Sequence, residues 1–164
     1  MCGIAGCWNS ASVDLIRPMV RALRHRGPDA EGFYEAPDHS VALGHRRLAI
    51  LDLKTGNQPL ANEDGTVWVV LNGEIYNHLD LRHELEQNGH RFATRSDTEA
   101  LVHAYEEYGD GFVTHLNGDF ALALFDQRNG ICLLARDRLG IRPLFYTQAG
   151  KRLYFASEIK SLLQ

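Results

Sequence analysis

A cysteine at position 2 gives this 164-residue chain its first chemical opening. With Met1 removed, one residue carries both a thiol nucleophile and a free α-amine able to act as its base. Thiols ordinarily titrate near about 8.5 and terminal amines near about 7.7–8.0, so both respond close to neutral pH. That pairing suits acyl transfer from an amide or ester, by the nucleophile-with-adjacent-base logic of N-terminal threonine enzymes. A terminal cysteine without any role is the plainer reading, and Cys2 alone does not decide between them. Cys7 and Cys132 lie in apolar stretches and read as core residues. His25 and His45 have acid–base chemistry to offer, but an amine base needs no histidine.

The elements that must hold Cys2 begin right behind it. Residues 3–8 are short, apolar and rich in small side chains, which reads as a buried first strand. Val13, Ile16, Val20 and Leu23 recur near helical spacing, and Gly27-Pro28 breaks that helix into a loop. Strands are expected over 32–34 and 41–45, around a turn holding Pro37 and Asp38, and again over 48–53. Residues 67–71, β-branched and aromatic, read as a strand that runs into Asn72-Gly73, a strong hairpin-turn dipeptide. Leu81 and Leu85 mark one side of a helix over 79–87 that Gly89 can end. Ser96 and Glu99 have capping-box spacing ahead of a helix reaching Tyr108. Short strands follow over 120–125, 131–135, 144–146 and 153–156, with a last helix starting at Ser157. Many strands, several helices and no regular βαβ alternation indicate an α+β fold.

Composition narrows the function. Hydrophobic residues at 45% and charged residues at 23% fit one ordinary globular domain. Seventeen basic against 21 acidic residues give net −4, with arginines scattered, which favours neither a nucleic-acid nor an anionic-membrane partner. No apolar run nears the roughly 20 residues of a membrane span, and the N-terminus lacks a signal-peptide layout. Three cysteines build no disulfide framework, which points to a reducing cytoplasm. Without a Cys-x-x-Cys pair, and with eight dispersed histidines, no metal site is expected.

A series of motifs then identifies a resemblance. Met1-Cys2-Gly3-Ile4-Ala5-Gly6, Arg24-His25-Arg26-Gly27-Pro28-Asp29, His45-Arg46-Arg47-Leu48-Ala49-Ile50, Asn72-Gly73-Glu74-Ile75-Tyr76-Asn77 and Ser96-Asp97-Thr98-Glu99 occur in that order. Leu116-Asn117-Gly118-Asp119-Phe120-Ala121, Arg136-Asp137-Arg138-Leu139-Gly140 and Ala156-Ser157-Glu158-Ile159-Lys160 continue the series. Over residues 2–164 the chain resembles the glutaminase domain of asparagine-synthetase-type enzymes. These are class II glutamine amidotransferases of the N-terminal-nucleophile hydrolase group. The resemblance implies a four-layer αββα sandwich of two mainly antiparallel sheets. It also implies hydrolysis of L-glutamine to glutamate and ammonia, the ammonia amidating aspartate in a second domain.

By the same resemblance Cys2 is the nucleophile, and Asn72 and Gly73 form the oxyanion hole. Arg47 receives the substrate α-carboxylate, a task suited to a guanidinium fork. Leu48, Ala49, Ile50 and Leu51 line the pocket through their backbones, and Asp97 with Glu74 receives the α-ammonium. Each has a plainer alternative: a hairpin turn for Asn72-Gly73, a surface pair for Arg46-Arg47, helix capping for Asp97, a solvated turn for Glu74. The charged segments 24–29 and 136–142 are expected to be structural. The implied partner is a C-terminal synthetase domain, in cis or as a separate chain, and a homodimer is left open. ATP and magnesium belong to that domain, so no cofactor or metal is expected in this one; a Ser-Gly-Gly-x-Asp-Ser or Walker-type phosphate loop is not found here. The chain is therefore expected to be an excised N-terminal domain, or half of a split system, unable to make asparagine alone. Two other readings stay open: a non-catalytic glutamine-binding or scaffolding module, and an amidotransferase half serving another acceptor, such as a peptide, a cell-surface sugar or an antibiotic precursor.

Overall fold

Every residue from Gly3 to Cys7 and from Val41 to Arg47 is buried, and a strand buried on both faces needs cover on each. The computed structural model describes residues 1–9, 11–49 and 56–164 and shows what supplies that cover. Strands β1 (Gly3–Trp8), β2 (Ala30–Glu35) and β3 (Val41–Arg47) join β8 (Phe145–Ala149) and β9 (Arg152–Ala156) in one antiparallel sheet, ordered β2-β3-β1-β9-β8. A second antiparallel sheet runs β4-β5-β6-β7, from Leu60–Ala61, Val67–Ile75, Gly118–Asp126 and Ile131–Arg136.

Period-two alternation sorts the side chains into layers. Ile4, Leu43, Val70, Ala121, Ala123, Phe125 and Phe155 share one buried cluster, which joins the two sheets face to face. Their neighbours point away from it. Ala5, Cys7 and Ala42 pack with Ile16 and Val20 of α1 (Val13–Ala22), and the short α4 (Ile159–Leu162) lies against α1. Val69, Leu71, Leu122 and Leu124 pack under α2 (His78–Gln87) and α3 (Asp97–Tyr108) through Leu81, Leu85 and Leu101. The result is helix, sheet, sheet, helix, as the resemblance implies. Among the described residues no helix is long and apolar enough to cross a membrane.

Two expectations need correcting. Asn72-Gly73 is not a hairpin turn, because β5 continues through it to Ile75, with Asn72 opposite Ala121 and Gly73 opposite Phe120. The turn preference of Asn-Gly is local, and a nine-residue ladder overrides it. Gly73 is needed there for another reason. Its φ of +148° is a glycine conformation, and a Cβ would run into the Asp119 carbonyl. The last helix is also shorter than expected, confined to residues 159–162. Of the strand expected over 48–53, Leu48 and Ala49 belong to no element, and the remainder lies outside the described residues. Two elements had no sequence reading at all: the two-residue β4, and a 3-10 helix over Gly109–His115.

Candidate active site

The start of β1 carries Cys2 to the end of β3. The Leu48 N–H donates to Cys2 Sγ at 3.4 Å, and the thiol lies 3.7 Å from the Leu48 carbonyl. The Cys2 carbonyl accepts from Arg26 Nε at 2.9 Å, while Arg26 Nη1 pairs with Glu158 at 3.0 Å. This fixes the chain end to the loop after α1, a structural use of the 24–29 motif. Asp29 of the same motif accepts the Ala49 N–H at 2.8 Å.

Strand β5 brings Asn72 and Gly73. Asn72 is fully buried, yet among the described residues neither its side-chain nitrogen nor its oxygen has a hydrogen-bond partner. Such an orphan costs about 1–3 kcal/mol for each unpaired group, and native folds keep few of them without a function. Arg47 is the last residue of β3, 6% exposed, and its Nη1 donates to Asn57 Oδ1 at 2.8 Å. Its neighbour Arg46 points the other way, to the Gly27 carbonyl and Glu31 at 2.7 Å. Only one of the two adjacent arginines therefore faces the cleft described below.

Asp97 opens α3, and its Oδ2 accepts the Ile75 N–H from β5 at 3.0 Å. Helix capping falls to Ser96, whose Oγ accepts from Thr98 N–H at 3.2 Å. The capping box is not completed as the spacing suggests. Glu99 does not return to the Ser96 N–H, which instead donates to Thr94 Oγ1 at 3.1 Å. The Glu99 carboxylate turns to the Ala93 and Thr94 N–H groups at 2.6 and 2.7 Å, tying down the segment before the helix. Burial opposes charge on Glu99, but hydrogen bonds from His103, Thr94 and these N–H groups prevail and hold its carboxyl down at about 2.

One cleft gathers Cys2, Arg47, Leu48, Asn72, Gly73, Glu74 and Asp97. It therefore holds a thiol, an unpaired amide, a guanidinium and two carboxylates. An amino acid with an uncharged side-chain amide presents the matching groups. Ala49 is not among the lining residues, and Ile50 and Leu51 lie outside the described residues. Met1, Gln58, Ser96, Thr98 and Arg142 also line the cleft, and sequence reasoning did not select them. Gln58 braces its wall, with Oε1 accepting the Leu71 N–H at 2.6 Å and Nε2 donating to Thr98 Oγ1 at 3.1 Å. Arg142 pairs with Asp119 at 2.9 Å, and Asp137 accepts the N–H groups of Leu139, Ile141 and Arg142. The 136–142 motif is thus a structural loop that also delivers one cation to the cleft. His25 and His45 do not line it. His25 bonds Glu158, and burial drives His45 down to about 3, neutral at physiological pH.

With this geometry in place, the glutamine amidotransferase domain family matches residues 1–164. The chain belongs to that family. It is 42% identical over 170 residues to asparagine synthetase [glutamine-hydrolyzing] 1 of Bacillus subtilis, and 46% identical over 169 residues to asparagine synthetase 2 of the same organism. An Arabidopsis thaliana asparagine synthetase is 43% identical over 168 residues. Each match covers 99% of this chain but 22–28% of the relative, so the amidotransferase domain spans about a quarter of the curated relatives it matches. Among solved structures, glutamine phosphoribosylpyrophosphate amidotransferase from B. subtilis superposes with a TM-score of 0.80 at 25% identity. It covers 98% of this chain and 43% of that one. The expected family and its α+β sandwich are both found.

Proposed function

We propose that this amidotransferase domain hydrolyses L-glutamine with Cys2 as nucleophile, once Met1 is removed. Cys2 Sγ attacks the side-chain carbonyl carbon, and the Cys2 α-amine takes the thiol proton. Asn72 Nδ2 and the Gly73 N–H donate to the oxyanion of the tetrahedral intermediate. The amine then gives its proton to the departing ammonia as the carbon–nitrogen bond breaks, leaving a glutamyl thioester. Water, deprotonated by the same amine, cleaves the thioester and releases glutamate. Arg47 holds the α-carboxylate while Asp97 and Glu74 receive the α-ammonium.

The observation that carries this reading is the buried, partnerless Asn72 amide in the same cleft as the thiol. An oxyanion donor waits in that condition before substrate arrives, and a scaffold would have no use for it. Removal of Met1 is integral to the reading. While Met1 is attached, the Cys2 nitrogen is an amide, and Met1 itself lines the cleft. Aspartate is the proposed acceptor of the ammonia, in a synthetase domain that supplies ATP and magnesium chemistry. This domain's own step needs neither, and the reducing cytoplasm suits its three free cysteines.

The test is ammonia release from glutamine by the Met1-processed protein, without ATP or magnesium, beside Cys2→Ala. Mass spectrometry verifies the processing. Release abolished by Cys2→Ala supports the proposal. Equal release from both proteins refutes it, and glutamine binding without release assigns the chain to the non-catalytic class.

A further inference from the structure

The dispersed histidines of the sequence are not all dispersed in the fold. His103 and Glu106 sit at i and i+3 on α3, a spacing that puts them on one helical face. The segment between α2 and α3 brings His90 beside them. His103 Nδ1 lies 3.2 Å from Glu106 Oε2, which lies 3.8 Å from His90 Nδ1. One ligand atom from each of the three lies within 4.8 Å of the others. Tetrahedral zinc at bond lengths of about 2.0–2.1 Å separates its ligands by about 3.3 Å. The two Glu106 contacts are within tenths of an ångström of that, and the imidazoles need to close on one another by at most about 1.5 Å. The exposed Glu63 side chain lies beside the trio, its Oε2 3.9 Å from His103 Nδ1.

The outer contacts point the same way. His90 hydrogen-bonds Glu107 through Nε2 at 3.2 Å, while the buried Nε2 of His103 has no hydrogen-bond partner among the described residues and lies 3.9 Å from Glu99, close enough for a small shift to make the bond. That arrangement, a carboxylate behind a ligating imidazole, fixes ring orientation at metal sites. Glu106 Oε1 is occupied by Asn62 Nδ2 at 2.7 Å and by Arg128 at 3.5 Å, which leaves Oε2 directed at the imidazoles. Asn88 Nδ2 in turn holds Glu107 at 3.1 Å. His103 is fully buried with the Phe92 ring centroid at 4.5 Å, so one side of the cluster is dry. Glu63, Glu99, Glu106 and Glu107 together give the locality an excess of negative charge.

We propose that His90, His103 and Glu106 bind a divalent transition-metal ion of the zinc class, with the exposed Glu63 side chain swinging in as fourth ligand. Two imidazoles and a carboxylate as donors select such an ion over magnesium or calcium, which take six or more oxygens. The site is separate from the glutamine cleft. His103 lies six residues into α3 from Asp97, about 9 Å along the axis. An ion there would replace the His103–Glu106 hydrogen bond and clamp together the β4–β5 connection, the α2–α3 connection and α3. The α2–α3 connection carries Thr94 and Ser96, which fix the start of the helix at Asp97. The role is therefore structural, stiffening the arm that delivers the α-ammonium ligand.

The experiment uses the 164-residue chain carrying Cys2→Ala, so that a terminal thiol and amine cannot supply the zinc ligands. The protein is stripped with a chelator, dialysed, and titrated with Zn²⁺ against a chromophoric competitor, with a thermal melt at each end point. One equivalent bound at micromolar affinity or tighter, with a raised Tm, is the expected result. His90→Gln, at a half-buried position, tests the ligand set without emptying the core, and Glu106→Gln provides an independent arm. Each should weaken Zn²⁺ binding at least about tenfold. Binding weaker than micromolar, or a loss smaller than tenfold in both variants, overturns the proposal.

Discussion

The Asp97 carboxylate accepts the Ile75 N–H at 3.0 Å, joining the first residue of α3 to the strand that carries Asn72 and Gly73. Substrate clamp and oxyanion hole are therefore braced on one another. Asp97→Asn keeps an oxygen for Ile75 and removes only the charge. A hydrogen bond to a charged partner contributes about 1.5–3 kcal/mol, so KM for glutamine should rise by about ten- to a hundredfold while kcat changes little. Asp97→Ala also loses the brace, and should lower kcat as well. Steady-state kinetics on the two variants separate the roles; equal effects on kcat would show that the charge, not the brace, is all that matters.

Asn72 is expected to behave in the opposite way. Its amide has no partner among the described residues, so its contribution arises when charge develops on the substrate oxygen. Asn72→Ala should cut kcat by about 10²–10³ and leave KM near its original value. Thermal melts should show the variant folded, because no hydrogen bond is lost. A raised KM with unaltered kcat would move Asn72 out of the oxyanion hole and into ground-state binding.

Gly73 and Gly65 form a controlled comparison for backbone strain. Both have positive φ, +148° and +70°, but a Cβ at Gly73 meets the Asp119 carbonyl whereas Gly65 has open space around it. Gly65→Ala should cost about 1–2 kcal/mol, the ordinary penalty of a left-handed conformation. Gly73→Ala adds the clash and should cost more, and it should also lower kcat by moving the neighbouring Asn72 amide. Urea midpoints read the first difference and glutaminase rates the second.

What could be read from the sequence divides along a physical line. Short, largely apolar runs at β1, β3, β5 and β6, bounded by turn residues, let the chain be recognised as strand-rich. The order of motifs placed Cys2, Arg47, Asn72 and Asp97 together before any coordinates. Ser96 was visible as a cap, because capping is a local property. Asn72-Gly73 misled because turn preference is also local, while the pairing that overrides it involves Ala121 and Phe120, nearly fifty residues away. Gln58 and Arg142 carried no signal as cleft residues, since their places depend on Leu71, Thr98 and Asp119. The same holds for His90 and His103, which are thirteen residues apart and share no metal-ligand spacing.

Burial of His45 gives the fold a measurable acid response. Its surroundings disfavour the imidazolium chiefly by desolvation, with Arg47 and Arg46 adding repulsion, and hold it down at about 3. The unfolded chain protonates the same residue near about 6.5. Below that pH the unfolded state binds a proton that the folded state refuses, so stability is complete above 6.5 and falls as pH drops toward 3. Between pH 7 and pH 5 the loss should reach about 2 kcal/mol. Glu99 and Glu158, held near 2, lose their contributions mainly below about 4.5, outside this window. His103 works the other way: despite burial, Glu106 and Glu99 raise it to about 9, so its contribution is complete below about 6.5 and lost as pH rises toward 9, which offsets part of the His45 loss between pH 7 and 6. Urea unfolding at pH 7, 6 and 5 should therefore show a net fall in stability that is abolished or reversed in His45→Gln. An equal slope in the variant would assign the proton uptake to another group.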